Sequence, residues 1–181
     1  MDPARFPDGT ERRGGVEIRA AGRRLEGYAA VFNTAARRGG VRETVRPGAF
    51  LASLAAAGKD VLALVDHDPG KLLARTGSGT LRLAEDSRGL AFDLDVADTQ
   101  LGRDILVMAE RRDLGGASFS FRAVDEAWPT PDRRELRAVD LLEISVVLSF
   151  PAYAGTTVSA RSLGLAVAGQ ARLRRLMAGV I

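Results

Sequence analysis

Three kinds of side chain that together could make a nucleophilic site stand far apart in this chain: a histidine, a pair of serines and a carboxylate in an apolar run. His67, within Val65-Asp66-His67-Asp68-Pro69-Gly70, is the single histidine of the 181 residues. One imidazole excludes any two-histidine mechanism within one chain, whether a metal centre or a Ser-His-His triad. Histidine alone titrates near neutrality without help, so His67 is the candidate general base. A histidine merely satisfied at a strand end is the plainer alternative.

The serines lie in Gly115-Gly116-Ala117-Ser118-Phe119-Ser120-Phe121. Side chains alternate along a strand, so Phe119 and Phe121 would anchor one face in the core while Ser118 and Ser120 share the other. The glycine pair before them lets backbone approach a substrate closely and present N–H groups, candidate donors to an oxyanion. A nucleophilic serine needs such a strand, an adjacent base and such donors. Two exposed hydroxyls on an ordinary strand would read the same way.

Glu143 sits in Leu141-Leu142-Glu143-Ile144-Ser145. A carboxylate in so apolar a strand needs a hydrogen-bonded partner, because burying it unpaired is costly. A histidine N–H would serve and would fix the tautomer for base catalysis. An arginine would serve equally. Asp66, Asp68 and Asp140 are rival partners for His67, the first two pointing away from its ring if the strand runs on through it. Neighbouring strand residues diverge, so Asp66-His67-Asp68 cannot easily converge on one ion, and no cysteine completes a shell; no metal or other cofactor is expected.

The elements that must position these residues are mostly strands. Val16–Arg19 and Leu25–Phe32 read as two strands about a turn at Gly22, Arg37–Gly40 as a flexible loop, and Val41–Val45 as a further strand. Ala49–Ala57 is helix-like and closed by Gly58. Val61–Val65 has the length and apolar run of a buried strand, with His67 just past its end. Gly79–Ala84 and Leu90–Val96 form a hairpin by alternation and turn chemistry. Thr99 is placed to cap a helix from Gln100 to Arg112. A strand follows Gly116 through Val124, a turn covers Pro129–Asp132, and Arg134–Leu148 reads as a long strand ended before Pro151. The sum is a mainly β, α+β domain, read as a partly closed antiparallel barrel with a few flanking helices. Residues 1–15 read as a polar flexible leader, 16–160 as the domain, and 161–181 as a small-residue tail that could hold a short helix.

Composition narrows the class. At 46% hydrophobic and 27% charged, the chain can bury a core. It lacks cysteine, so no disulfide framework is available and a reducing cytoplasm suits it. The start shows no apolar signal region, and no apolar run approaches the ~20 residues of a membrane span, so a soluble protein with no membrane partner is expected. The net charge is +3. Its arginines are scattered among acids rather than gathered in a stripe, which speaks against specific nucleic-acid binding.

Several stretches resemble, in order, the tailed-phage prohead (capsid maturation) serine proteases of the Hong Kong phage type, related in fold to the herpesvirus assemblins. They begin with Gly27-Tyr28-Ala29-Ala30-Val31-Phe32-Asn33, Glu43-Thr44-Val45-Arg46-Pro47-Gly48-Ala49-Phe50 and Val61–Asp68. Thr76, Gly79-Thr80-Leu81, Glu85-Asp86 and Gly89-Leu90 continue the series. Thr99 with Gly102-Arg103-Asp104, Gly116-Ala117-Ser118-Phe119, Leu142–Val147 and Pro151-Ala152-Tyr153 complete it. The likeness covers roughly residues 16 to 160.

The resemblance implies a herpesvirus-protease-like fold and catalysis by Ser118 and His67, with Glu143 as third member. It implies a serine endopeptidase that cleaves the scaffolding segment of the major capsid protein, and itself, inside the prohead. Self-cleavage could remove the tail, and a homo-oligomer is compatible with the family. The host setting would be a bacterial cytoplasm, with the protein packaged in the immature capsid. Two departures matter. The family often has glycine two residues after the serine, where this chain has Ser120, and the assemblins use a second histidine that this chain lacks. The alternative is a catalytically silent capsid-assembly or scaffolding factor.

Overall fold

A computed structural model describes residues 7–14 and 17–148. The expectations of a short helix in the 161–181 tail and of its removal by self-cleavage concern residues outside those described. Eleven strands are described: β1 (Glu11–Gly14), β2 (Glu17–Ala21), β3 (Arg24–Val31), β4 (Ala36–Arg38), β5 (Val41–Val45), β6 (Leu62–Val65), β7 (Asp68–Arg75), β8 (Leu81–Glu85), β9 (Gly89–Asp95), β10 (Gly116–Thr130) and β11 (Arg133–Val147). Two helices accompany them, α1 (Leu51–Ala55) and α2 (Gln100–Arg111). The protein is mainly β, of α+β character.

The strands form two sheets. One runs β2-β3-β9-β8. The other runs β1-β10-β11-β5-β4, with β6 also on β11 and β7 beyond it. β11 organises this second sheet. One side pairs antiparallel with β10; the other takes β5 in parallel along Arg133–Leu136 and β6 in parallel along Glu143–Val146. A long strand with two short parallel partners thus brings β6, and the histidine beyond it, beside the acid-bearing end of β11.

The core explains why β10 sits as it does. Phe119 and Phe121 stack at 5.2 Å between ring centroids, Phe119 meets Phe50 edge-on at 5.5 Å, and Phe50 stacks on Phe32 at 6.2 Å. These aromatic contacts each add a little beyond the area they bury, and they turn the serine face of β10 the other way. Phe50 is held from the opposite sheet as well: the Glu85 carboxylate of β8 accepts the Phe50 N–H at 3.0 Å and the Gly48 N–H. At α2, Thr99 accepts the Gly102 N–H at 3.0 Å, the expected N-cap.

Three strands go beyond the sequence reading. Ala36–Arg38, inside the stretch read as a loop, forms β4 on β5. Pro69-Gly70 does not prevent β7, because β7 is an edge strand paired to β6 alone, where a missing N–H costs little. Within the stretch read as a polar leader, Glu11–Gly14 forms β1 on β10. Its polar sequence is buried because its charges find partners, described below. β10 also runs past Val124 to Thr130, in a long hairpin with β11.

Candidate active site

His67 stands in a two-residue turn. The β6–β7 hairpin closes through Asp66 and His67, both with positive φ (51° and 60°), flanked by the Val65–Asp68 pair. Both central residues left-handed is the turn whose twist suits a hairpin, and aspartate and histidine are among the residues that tolerate it. β11 clamps the turn from the side. The Asp66 N–H donates to Val146 O at 2.9 Å, and Asp66 Oδ1 accepts the Leu148 N–H at 2.9 Å. The strand therefore does not continue through His67, and its backbone curls the ring over β11.

Glu143 meets that ring, with His67 Nδ1 2.5 Å from Glu143 Oε1. Of the four acids considered, Glu143 is the one bonded to the imidazole. Asp66 holds the turn, Asp68 Oδ1 accepts the Gly70 N–H at 2.9 Å, and Asp140 pairs with Lys59. With Nδ1–H donated to Glu143, Nε2 is the nitrogen left to accept a proton.

Two serine hydroxyls complete the carboxylate's shell. Ser120, cross-strand from Glu143, donates to Oε1, and Ser145 donates to Oε2 at 2.6 Å. Ser145 also accepts the His67 N–H at 3.1 Å, tying acid and turn together. Burial pushes the Glu143 carboxyl upward, but the His67 hydrogen bond and charge and the Ser120 and Ser145 hydroxyls outweigh it, holding the group below its ordinary range. It is an ionised acceptor, suited to orient an imidazole and stabilise its charged form.

The two strand serines differ in their surroundings. Ser120 Oγ lies 3.4 Å from His67 Nδ1, on the acid's side of the ring, and its one hydrogen goes to Glu143. Ser118 Oγ donates instead to the Arg13 carbonyl of β1 at 2.6 Å, and the residue is 3% exposed. His67, Glu143, Ser120 and Ser145 are thus brought into one network; Ser118, on the same strand face two residues from Ser120, has its hydrogen committed elsewhere. Of the candidate oxyanion donors, the Gly115 N–H is taken by Val147 O at 2.8 Å.

The profile of the caudovirus prohead serine protease family matches residues 14–168. The chain belongs to that family. No curated protein and no solved structure matches it. This prohead protease is a serine peptidase of capsid maturation, with a capsid protein as its class of substrate and the phage procapsid as its place of action. Ser145 carried no role in the sequence reading. Its signal was there, since it lies two residues from Glu143 on the same strand face. β1 carried no apolar pattern at all, and nothing in its own residues announced it.

Proposed function

We propose that the protein is a serine endopeptidase in which Ser118 attacks the scissile carbonyl. His67 Nε2 takes the serine proton and passes it to the leaving amine, and Glu143 holds the imidazole through Nδ1. The observation that carries this reading is the 2.5 Å His67–Glu143 contact beside the serine face of β10. It supplies an oriented base with its free nitrogen directed away from the acid. Ser120 fits less well as nucleophile, because it lies on the Nδ1 side of the ring and its hydroxyl serves the carboxylate. The hydroxyl of Ser118 must leave Arg13 O to reach the base.

The substrates in this reading are the scaffolding segment of the major capsid protein and the protease itself, including its 161–181 tail. Action follows packaging from the bacterial cytoplasm into the immature shell, as a single chain or a homo-oligomer, with no cofactor. The two sheets, in contact through β3 and β10, would be walls of the partly closed, herpesvirus-protease-like barrel.

Co-expression with the matching capsid protein tests the assignment. Ser118→Ala should abolish shortening of the capsid protein, a loss of at least about 10⁴-fold in rate. Ser120→Ala should slow it by about 10- to 100-fold, the cost of one hydrogen bond to a charged group. Full processing by Ser118→Ala with none by Ser120→Ala would move the nucleophile two residues on. Equal processing by wild type and both variants would remove both serines from the chemistry and favour a scaffolding role.

A further inference from the structure

We propose that the edge of β10 along Ser118–Phe121 is the seat of an extended peptide substrate, and that β1 is its resident occupant, leaving the folded protein latent until β1 is displaced. The proposal rests on Ser118 as the nucleophile.

β1 lies antiparallel on that edge in the register Glu11↔Phe121, Arg12↔Ser120, Arg13↔Phe119 and Gly14↔Ser118. Both serines bond to it. Ser118 gives its proton to Arg13 O at 2.6 Å, and Ser120 Oγ accepts from Arg12 Nε at 3.3 Å. While β1 stays, the nucleophile is 3% exposed and its hydrogen is held on a backbone carbonyl instead of on its base. An extended segment laid beside the serine is also how a strand-pairing site takes a peptide, through main-chain hydrogen bonds and pockets for alternate side chains.

The way β1 is held allows exchange. Its residues, Glu11-Arg12-Arg13-Gly14, carry no apolar side chain. Beyond its ladder, it docks through a buried ionic cluster. Arg13 binds both oxygens of Glu43 and, at 2.6 Å, Glu11. Arg134 binds Glu11, Glu43 and Glu126. Glu11 and Arg13 bring one negative and one positive charge, so β1 leaves without changing the cluster's net charge, and Arg134 keeps Glu43 and Glu126. What departure uncovers is the Ser118–Phe121 edge, the Glu43 carboxylate and the Phe121 ring, over which the Arg13 guanidinium lies at 5.1 Å. An incoming strand with a basic residue in the place of Arg13 would recover those contacts.

Labelling of the full chain by a serine-reactive fluorophosphonate, with the modified residue mapped by mass spectrometry, tests the proposal. In Glu11→Ala/Arg13→Ala, which keeps the net charge, Ser118 should label at least about tenfold faster than in wild type, since labelling follows the population of the open form. An unchanged rate in a variant that still melts cooperatively overturns the proposal. The chain has no cysteine of its own, so Thr10→Cys/Arg122→Cys, one step beyond the Glu11↔Phe121 pair, can fasten β1 without touching the cluster. Oxidation should suppress labelling and reduction restore it; equal rates in both states overturn the latch. Hydrogen exchange in Ser118→Ala separates the two readings. Capsid protein should speed exchange of the 11–14 amides, and bound capsid protein with 11–14 still protected removes the seat whichever serine acts. Accelerated label on Ser120 instead of Ser118 would remove the nucleophile assignment and leave the seat standing.

Discussion

Glu143 is satisfied on both oxygens by groups from three strands or their ends: Ser120 of β10, Ser145 of β11 and the His67 ring beyond β6. That convergence ties the site to folding. The folded state holds the Glu143 carboxyl below the ordinary 4.5, so it binds this proton more weakly than the unfolded chain does. The associated stability is present above the unfolded value and is lost as pH falls through the folded one. Melting temperature should therefore drop on acidification below about pH 4.5, and Glu143→Gln should show a shallower drop over that interval. Equal slopes for the two proteins would mean that the carboxylate contributes nothing differential. The same variant should lower the rate at every pH and displace the pH–rate profile, a change that lost packing alone would not produce.

Among the elements, the β3–β9 pairing has little room for change. Gly89 begins β9 opposite Val31, and a Cβ placed there would meet Ala30 O at 2.0 Å, a backbone atom that cannot step aside. Gly89→Ala should destabilise the protein by about 1–3 kcal/mol, read from the urea midpoint. No shift in midpoint would show that β3 and β9 slide apart freely. This sheet carries none of the site's side chains, so the variant should process capsid protein normally at temperatures where it stays folded. The turn at Asp66-His67 shows the opposite economy: two left-handed residues without a glycine, held by bonds to Val146 and from Leu148. Ring position there is set by the left-handed backbone together with the Asp66 side chain that accepts the Leu148 N–H.

For the molecule as a whole, the buried ions join parts of the sheet that are far apart in sequence. Glu11 is 0% exposed, Glu43 4% and Arg134 6%. Burial alone would raise the Glu11 carboxyl, but Arg134 and Arg13 hold it low. Removing one partner of such a group leaves an uncompensated charge. Arg134→Met should cost about 3–5 kcal/mol by chemical denaturation, far more than exposed pairs such as Arg82–Asp95 or Arg103–Asp98 would. A loss under about 1 kcal/mol would class the cluster with those surface pairs. Among the described residues no helix is long and apolar enough to cross a membrane.

What local chemistry can specify is legible in the residues themselves. Alternation placed Phe119 and Phe121 in the core and turned Ser118 and Ser120 the other way, Thr99 marked the start of α2, and the single histidine restricted the site to one imidazole. The apolar run around Glu143 demanded a partner without naming it. Only the tertiary structure chose His67 over an arginine, because the choice depends on β6 lying parallel to the end of β11, a contact between residues 62–65 and 143–146 that no local pattern encodes. It alone made β1 a strand, since Glu11 and Arg13 are buried by charges that arrive from β5 and β11. It also separated two serines that alternation made equivalent, giving the hydrogen of one to Glu143 and that of the other to Arg13 O. Hydrogen bonds to a side chain are decided by which neighbour the fold brings within about 3 Å, and those neighbours came from opposite ends of the chain.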